Sequence, residues 1–108
     1  MLVELDVFSG RQNPRWELDE PRSVELRQLH SRLKASGQAH TEPPALGYRG
    51  FWYSDADGRV HAYHGYVRTG RAVLADPSFT IERYLLAQTP VELAALRKRI
   101  ESELAEAK

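Results

Sequence analysis

The residues best suited to ligand chemistry lie in the segment 8–16, which reads Phe-Ser-Gly-Arg-Gln-Asn-Pro-Arg-Trp. Gly10 permits a left-handed backbone whose amide groups can form an anion-binding concavity, and Ser9 adds a hydroxyl group beside it. The guanidinium groups of Arg11 and Arg15 would stand at the rim of this concavity. The segment therefore predicts a site for a carboxylate or a phosphate.

The same segment also has a purely structural interpretation. Asp6 or Asn13 can hydrogen-bond the backbone of the turn, while Phe8 and Trp16 clamp the turn from below. We favour this interpretation because turn chemistry accounts for most of the residue types present. If the segment does bind a ligand, its binding residues are Ser9, Arg11, Asn13 and Arg15.

The four histidines raise the question of a metal site, and His61 and His64 are the closest pair. Residues three apart on a strand point to opposite faces, so the two imidazoles cannot converge on one ion without a bulge. A third and a fourth ligand are also missing from the pattern. His30 lies on the apolar stripe of a predicted helix and is typical of the edge of a core. The sequence predicts neither a metal nor a cofactor.

Other catalytic patterns are also weak. The turn ending in Asp57 and Gly58 resembles part of a calcium loop, but that register places Tyr53 and His64 where carboxylates are required. Ser9 precedes a glycine, yet the sequence lacks the G-x-S-x-G pattern of a nucleophile elbow. Glycine-rich phosphate loops are absent as well. These patterns predict no catalytic residue.

Aromatic residues form the second notable group, and they occupy two neighbouring predicted strands: Tyr48, Phe51, Trp52, Tyr53, Tyr63 and Tyr66. Their positions alternate, so both faces of the sheet receive some of them. One face must be buried under the helices, and the other would present tyrosine, histidine and Trp52 to a partner. Such a face suits an extended peptide, with Tyr48, Trp52, Tyr63 and Tyr66 as binding residues. The alternative is that helices and a long loop cover it.

The elements that must position these groups begin with a strand at residues 2–8, where apolar and acidic side chains alternate. A short strand at residues 16–18 is expected to pair with it. Asp19, Glu20 and Pro21 are typical of a helix start, and an apolar period of 3.6 predicts a helix over residues 21–35. Gly37 is expected to form its C-cap. Residues 36–47 lack any period and are expected to form a loop.

The second half of the chain predicts strands over residues 48–54, 59–68 and 71–75. Ser78 is expected to cap a short helix that carries Ile81, Tyr84 and Leu85. Residues 89–92 read Thr-Pro-Val-Glu, which is typical of a capping box with proline at the first helical position. The final helix is therefore expected to begin there.

Together these elements predict an α+β fold: one two-layer domain over residues 1–108, with a mainly antiparallel sheet of four to five strands and two to three helices on one face. Fifteen basic and fifteen acidic residues balance along the chain, which disfavours a nucleic-acid partner. The absence of cysteine favours a cytoplasmic location. We expect no signal peptide and no membrane span.

Two motifs carry a resemblance. Residues 6–16 read D-V-F-S-G-R-Q-N-P-R-W and residues 46–51 read L-G-Y-R-G-F. This chain resembles a small single-domain family that carries D-x-F-S-G-R-x-N-P-x-W near its start and G-Y-R-G-F before its hairpin, a family without a settled enzymatic activity. Its size and layout are also similar to small partner subunits of multinuclear iron oxidative enzymes in ribosomal-peptide natural product pathways. That second resemblance implies that any iron ligands lie on the larger enzyme.

These observations favour a non-catalytic accessory protein that recognises a peptide or a partner enzyme through the aromatic sheet face and the segment 8–16. The alternative is an enzyme that binds a small ligand or an anion, in which Arg11 and Arg15 hold the substrate and a histidine acts as the base. A third hypothesis is a self-associating structural protein.

Overall fold

Strands joined by tight turns build one seven-stranded antiparallel sheet in the computed structural model. The structure describes residues 1–8, 10, 12–37, 43–44, 47–55, 58–70 and 72–107. Within them the strands are β1 (Leu2–Leu5), β2 (Arg15–Glu17), β3 (Lys34–Ala35), β4 (Phe51–Asp55), β5 (Gly58–Tyr63), β6 (Tyr66–Thr69) and β7 (Ala72–Ala75). Their order in the sheet is β2-β1-β4-β5-β6-β7-β3.

The helices in the described part of the chain are α1 (Glu20–Ser31), α2 (Thr80–Ala87) and α3 (Ala94–Ala107), with a 3₁₀ turn (Val91–Leu93) before α3. None of these helices combines the length and the apolar character that a bilayer crossing requires. The α+β class predicted from the sequence is confirmed. The sheet has seven strands where four to five were expected.

The strand register divides the side chains between two faces of the sheet. On the core face, Leu5 lies opposite Phe51, which in turn lies opposite Ala62, and all three residues are fully buried. Buried helix residues complete the same core: Leu26, Ile81, Leu85, Leu86, Ile100 and Leu104. The other face, which we call the open face, carries the alternate residues of each strand. The described helices pack on the core face.

The first additional strand, β3, lies where the sequence predicted the end of a helix. Lys34 and Ala35 were expected to be helical, but α1 ends at Ser31 and these residues pair with β7. The Ser36 amide donates to the Val73 carbonyl oxygen at 2.8 Å, which extends this pairing. Edge pairing therefore replaces the last turn of the predicted helix and its expected cap at Gly37.

Residues 59–68 were expected to form one strand, and this prediction was wrong. His64 and Gly65 have φ angles of +47° and +82°, and they form a two-residue turn between β5 and β6. Left-handed backbone at both positions matches the twist of an antiparallel hairpin. The turn converts one predicted strand into two.

Two predicted helix caps were also wrong. The Asp76 carboxylate, and not Ser78, accepts hydrogen bonds from the amides of Thr80 and Ile81 at 3.0 and 2.8 Å. The Thr89 hydroxyl is buried without a hydrogen-bond partner among the described residues, so it caps nothing. The start of α1 was predicted correctly, and the Asp19 carboxylate caps it by accepting from the Arg22 amide at 3.0 Å.

Candidate functional site

Asn13 fixes the backbone of the segment 8–16. Its side-chain oxygen accepts from the amides of Val7 and Phe8 at 3.0 and 2.7 Å, just beyond the end of β1. Gly10 has a φ of +82°, in the left-handed region that favours glycine. Asn13 thus performs the turn-forming role of the structural interpretation. Ser9 and Arg11 lie outside the described residues.

Asp6 joins the two sequence motifs. Its Oδ1 accepts from Nε and Nη2 of Arg49 at 3.0 and 2.7 Å, and its Oδ2 accepts from the indole nitrogen of Trp52 at 3.1 Å. The backbone adds two bonds, because the Asp6 amide donates to the Gly50 carbonyl oxygen and the Arg49 amide donates to the Asp6 carbonyl oxygen. The first motif is therefore held against the second by side chains and backbone together.

Glu4 forms a second acidic centre beside Asp6. It accepts from the Asn13 side-chain amide at 3.1 Å and pairs with Arg15 at 3.3 Å and with Arg59 at 3.4 Å. The carboxylate is 17 % exposed, whereas the two guanidinium groups are about half exposed. Glu4 is thus already neutralised, and the two arginines keep free surface toward solvent.

Residues of six strands form one row across the open face. The register places Arg15 opposite Glu4, Glu4 opposite Trp52, Trp52 opposite His61, and His61 opposite Arg68. Val73 ends the row on β7. A row of this kind has one residue per strand, spaced by the distance between neighbouring strands.

Trp52 is the most firmly held side chain of this row. Its indole stacks on the His61 ring with centroids 4.3 Å apart and an interplanar angle of 25°, and the Arg59 guanidinium carbon lies 4.7 Å from the indole centroid. Together with the hydrogen bond to Asp6, these contacts fix the indole on three sides. Trp52 remains half-buried, so part of the ring faces solvent.

His61 lies beneath this surface and is only 2 % exposed. Its Nε2 lies 2.7 Å from the Arg49 carbonyl oxygen, and because that oxygen can only accept, Nε2 carries the hydrogen. Burial lowers the pKa of His61, with the nearby Arg68 acting in the same direction. The ring is therefore neutral near pH 7 and serves as a platform for Trp52.

A buried acid, Glu82, lies at the end of the core and forms a second polar centre. It is 1 % exposed, and its two oxygens accept from the Tyr48 hydroxyl at 2.6 Å and from the Gly65 amide at 2.9 Å. Burial raises the pKa of Glu82, while the hydrogen bonds from Tyr48, Gly65 and His64 oppose that rise. The pKa of Tyr48 is raised well above its usual value by burial and by the adjacent carboxylate. Glu82 thereby anchors the β5–β6 turn.

The structure separates the predicted site residues into two groups. Asn13, Arg15 and Trp52 come together on the open face. Tyr48 and Tyr63 are 4 % and 5 % exposed, and their rings contact each other with centroids 5.8 Å apart. The Tyr63 ring also lies parallel to His61, with centroids 6.3 Å apart, so it adjoins the cluster without reaching its surface. The open face therefore presents less tyrosine than the sequence led us to expect.

Tyr66 pairs with Tyr63 across β5 and β6 and is half-buried on the open face. Its register partner on the other side is Ala75, toward the far edge of the sheet. Tyr66 therefore lies two strands from Trp52 on the same face.

Sequence reasoning gave no ligand-related role to Asp6, Arg49 or Glu82. Asp6 and Arg49 lie inside the two quoted motifs. An acid in one motif and an arginine in the other could have indicated the ion pair that joins them. Glu82 lies three and four residues before Leu85 and Leu86, which are both buried. A carboxylate on the apolar stripe of a short helix was the signal for a buried acid.

Among the described residues, no group of three or more histidine, aspartate or glutamate side chains is arranged to hold a metal ion. Comparisons of the chain with models of protein families, with curated proteins and with solved structures gave no match. The functional argument therefore rests on the geometry of this molecule.

Proposed function

We propose that the protein is a binding module that recognises a protein or peptide partner through the open face of its sheet. The observation that supports this most is the fixed position of Trp52, which is half-buried and held by Asp6, His61 and Arg59 on the face of the sheet opposite the core. Tryptophan and arginine are the residue types that contribute most to binding energy at protein interfaces. A side chain that is already ordered loses little conformational entropy on binding.

The charges of this face favour an acidic partner. Arg15, Arg59 and Arg68 are exposed there, and Arg68 forms no ion pair with any described residue. The acids Glu4 and Asp6 are already occupied by arginine, asparagine and tryptophan donors. Complementary charge on a partner would therefore be negative, and it would act on the association rate and on specificity.

The alternative enzyme would need Arg15 and a histidine base at one substrate. In the row across the open face, Arg15 and His61 are separated by three strand spacings, or about 14 Å. The Nε2 hydrogen of His61 is bonded to a backbone carbonyl, and the ring is buried. This geometry favours binding over general-base catalysis, although Arg11 lies outside the described residues.

A narrower form of the proposal is an accessory subunit of an enzyme that modifies a ribosomally made peptide, with the catalytic groups on the larger partner. This form rests on the resemblance of size and layout alone. A cytoplasmic location belongs to the proposal in the same way, since it rests on the absence of cysteine.

The test is a selection of binding peptides from a random displayed library, followed by affinity measurements with purified protein variants. We expect selected peptides to be rich in aspartate and glutamate around an aromatic residue. The double variant Arg59→Glu/Arg68→Glu should weaken their binding by about tenfold or more, because it places like charges at the contact. The control variant Arg83→Glu/Arg99→Glu makes the same charge change on helix positions that are exposed and should bind normally.

A tagged pull-down from the native host, made with the Arg59→Glu/Arg68→Glu and Arg83→Glu/Arg99→Glu variants, is the second test. One stoichiometric protein that is lost with the open-face variant and retained with the helix variant would support the proposal and name the partner. Peptides or proteins that bind both variants equally would contradict it, and so would substrate turnover by the isolated protein.

A further inference from the structure

A cleft of about 380 Å³ lies beside the β5–β6 turn. Its described walls come from three parts of the chain: the segment before β4, the end of β5 with its turn, and the C-terminal half of α3. The residues that matter for its chemistry are Gly47, Tyr48, Tyr63, His64, Glu103 and Glu106.

Three aromatic rings form one side of this cleft. Tyr63 and His64 stack with centroids 4.1 Å apart, and Tyr48 lies 5.8 Å from Tyr63 and 6.4 Å from His64. Aromatic faces attract a cation that comes within about 6 Å of the ring centroid, because the face of the ring carries partial negative charge. Several rings in one small volume let a single cation contact more than one face.

Carboxylates form the other side of the cleft. Glu103 and Glu106 are exposed on α3, and neither forms an ion pair with a described residue. The described lining contains no lysine and no arginine. The carboxyl group of Glu82 lies directly beneath, bonded to the Tyr48 hydroxyl. The excess of acidic groups gives the cleft a negative potential.

Tyr63 places a hydrogen-bonding group at the cleft. The residue is only 5 % exposed and lines the cleft. Its hydroxyl is not among the described buried polar atoms that lack a partner, so the oxygen is open to contact from the cleft. A ligand in the cleft that carries N–H donors can donate a hydrogen bond to this oxygen.

Acidic groups act on the same tyrosine through space. Burial raises the pKa of Tyr63, and the negative charges of Glu82 and Glu103 raise it further. The charge of Glu103 therefore reaches into the cleft. A positive ligand would be stabilised by the same field.

We propose that this cleft binds an organic cation, namely the guanidinium or alkylammonium group of a ligand. The aromatic rings contact the cationic group, Glu103 and Glu106 balance its charge, and the Tyr63 oxygen accepts one of its hydrogens. The source is either a free small molecule or an arginine or lysine side chain of a peptide. The inference does not rest on the function proposed for the open face.

The test is a nuclear magnetic resonance titration of the labelled protein with N-acetyl-arginine amide and N-acetyl-lysine amide. N-acetyl-citrulline amide, the uncharged analogue of the arginine compound, is the matched ligand control. We expect saturable shifts at Gly47, Tyr63 and His64 with a cation and none with citrulline. A short peptide with one arginine that binds more tightly than the arginine amide would identify a peptide source, and equal affinity would identify a small-molecule source.

Protein variants complete the test. Glu103→Gln/Glu106→Gln removes both charges at exposed helix positions and should weaken cation binding by about tenfold or more, since the ion pairs and the attraction to the rings act together. Glu101→Gln lies on the same helix outside the cleft and should change nothing. Citrulline that binds as well as arginine, a double variant that binds normally, or no saturable binding up to a concentration on the order of 20 mM, which corresponds to about 2 kcal/mol of binding free energy, would overturn the proposal.

Discussion

The two polar clusters of this molecule hold the same short segment from opposite sides. Tyr48 donates inward to Glu82, which is 1 % exposed, while its neighbour Arg49 pairs with Asp6, whose side chain is 15 % exposed. The buried cluster depends on a few short bonds to one acid. The cluster at the surface distributes its bonds over asparagine, arginine and tryptophan donors.

This difference shows how burial decides what a carboxylate can do. Burial disfavours the charged form of Glu82 and so raises its pKa. The hydrogen bonds that Glu82 accepts offset part of this cost, and the loss of any one of them leaves a buried oxygen without a partner. Water can replace a lost partner at Asp6 and Glu4, whose side chains are 15 % and 17 % exposed, but not at Glu82. We therefore expect single substitutions to act more strongly in the buried cluster than at the surface.

The largest effect is expected where both clusters meet, at Gly50. Its φ is +98°, and a Cβ atom there would lie 2.3 Å from the Ala62 carbonyl oxygen. Gly50→Ala should therefore lower the free energy of unfolding by about 3 kcal/mol or more, because strain of the backbone adds to displacement of β5. The measurement is chemical denaturation.

Gly47→Ala is the matched control for this substitution. Gly47 also has a positive φ, +84°, but its added Cβ would meet nothing within 4 Å. Only the backbone strain remains, and we expect a loss of about 1 kcal/mol. Equal losses for the two variants would mean that close approach to β5 is not what requires glycine at position 50.

Removal of the Tyr48 hydroxyl should have the next largest effect. Tyr48→Phe takes away the 2.6 Å donor to Glu82 and leaves a buried carboxyl oxygen without that bond, at a cost of about 1–3 kcal/mol. Tyr84→Phe removes an exposed bond to the Arg22 carbonyl oxygen and should cost about 0.5 kcal/mol. Thermal or urea unfolding of both variants measures the two losses of stability directly. A smaller loss for Tyr48→Phe than for Tyr84→Phe would contradict the expectation that the buried cluster is the more sensitive to substitution.

The pH dependence of stability sharpens the comparison further. The native pKa of Glu82 is raised above its ordinary value of 4.5, so between these two values the native state retains a proton that the unfolded state has lost. Stability therefore falls as the pH rises through this window, by at most about 1.4 kcal/mol per pH unit. Glu82→Gln removes this contribution. Urea denaturation from pH 4 to pH 8 should show the wild type losing stability relative to the variant, and a constant difference would refute the assignment.

The smallest effect is expected in the surface cluster. Asn13→Ala removes the acceptor for the amides of Val7 and Phe8, and partial access to water limits the loss to about 1 kcal/mol. Gln12→Ala, at an exposed neighbouring position, should stay within about 0.5 kcal/mol of the wild type. Hydrogen exchange of the Val7 and Phe8 amides should accelerate in the first variant only. Unchanged exchange there would show that Asn13 does not hold this backbone.

Sequence patterns correctly predicted those helices and strands that are specified by residues close together in the chain. The alternation in β1 and the start of α1 after Asp19 are of this kind, and both were predicted from the sequence. The Thr89 capping box and the single strand over residues 59–68 were wrong, because a local pattern permits a structure without requiring it. In α3, Ile100 and Leu104 are buried four residues apart on one face, as the helical period requires.

The candidate site was only partly accessible to the same reasoning. Asn13 and Trp52 were selected from the sequence, but the meeting of Asp6 with Arg49 depends on a separation of 43 residues along the chain. The contact between Tyr48 and Glu82 spans 34 residues. Such pairs follow from strand order and register, which no local period specifies.

The sequence by itself determined the fold class, the absence of thiol groups and two candidates, Asp6 and Asn13, for hydrogen-bonding the backbone of the segment 8–16. Composition and short-range periodicity carry this information, because it concerns each residue and its near neighbours. The tertiary structure alone decided which face of the sheet is open, that Trp52 and not Tyr48 reaches its surface, and that Glu82 is buried against Tyr48. These outcomes depend on long-range packing, where the burial of one side chain is set by elements far away in the chain.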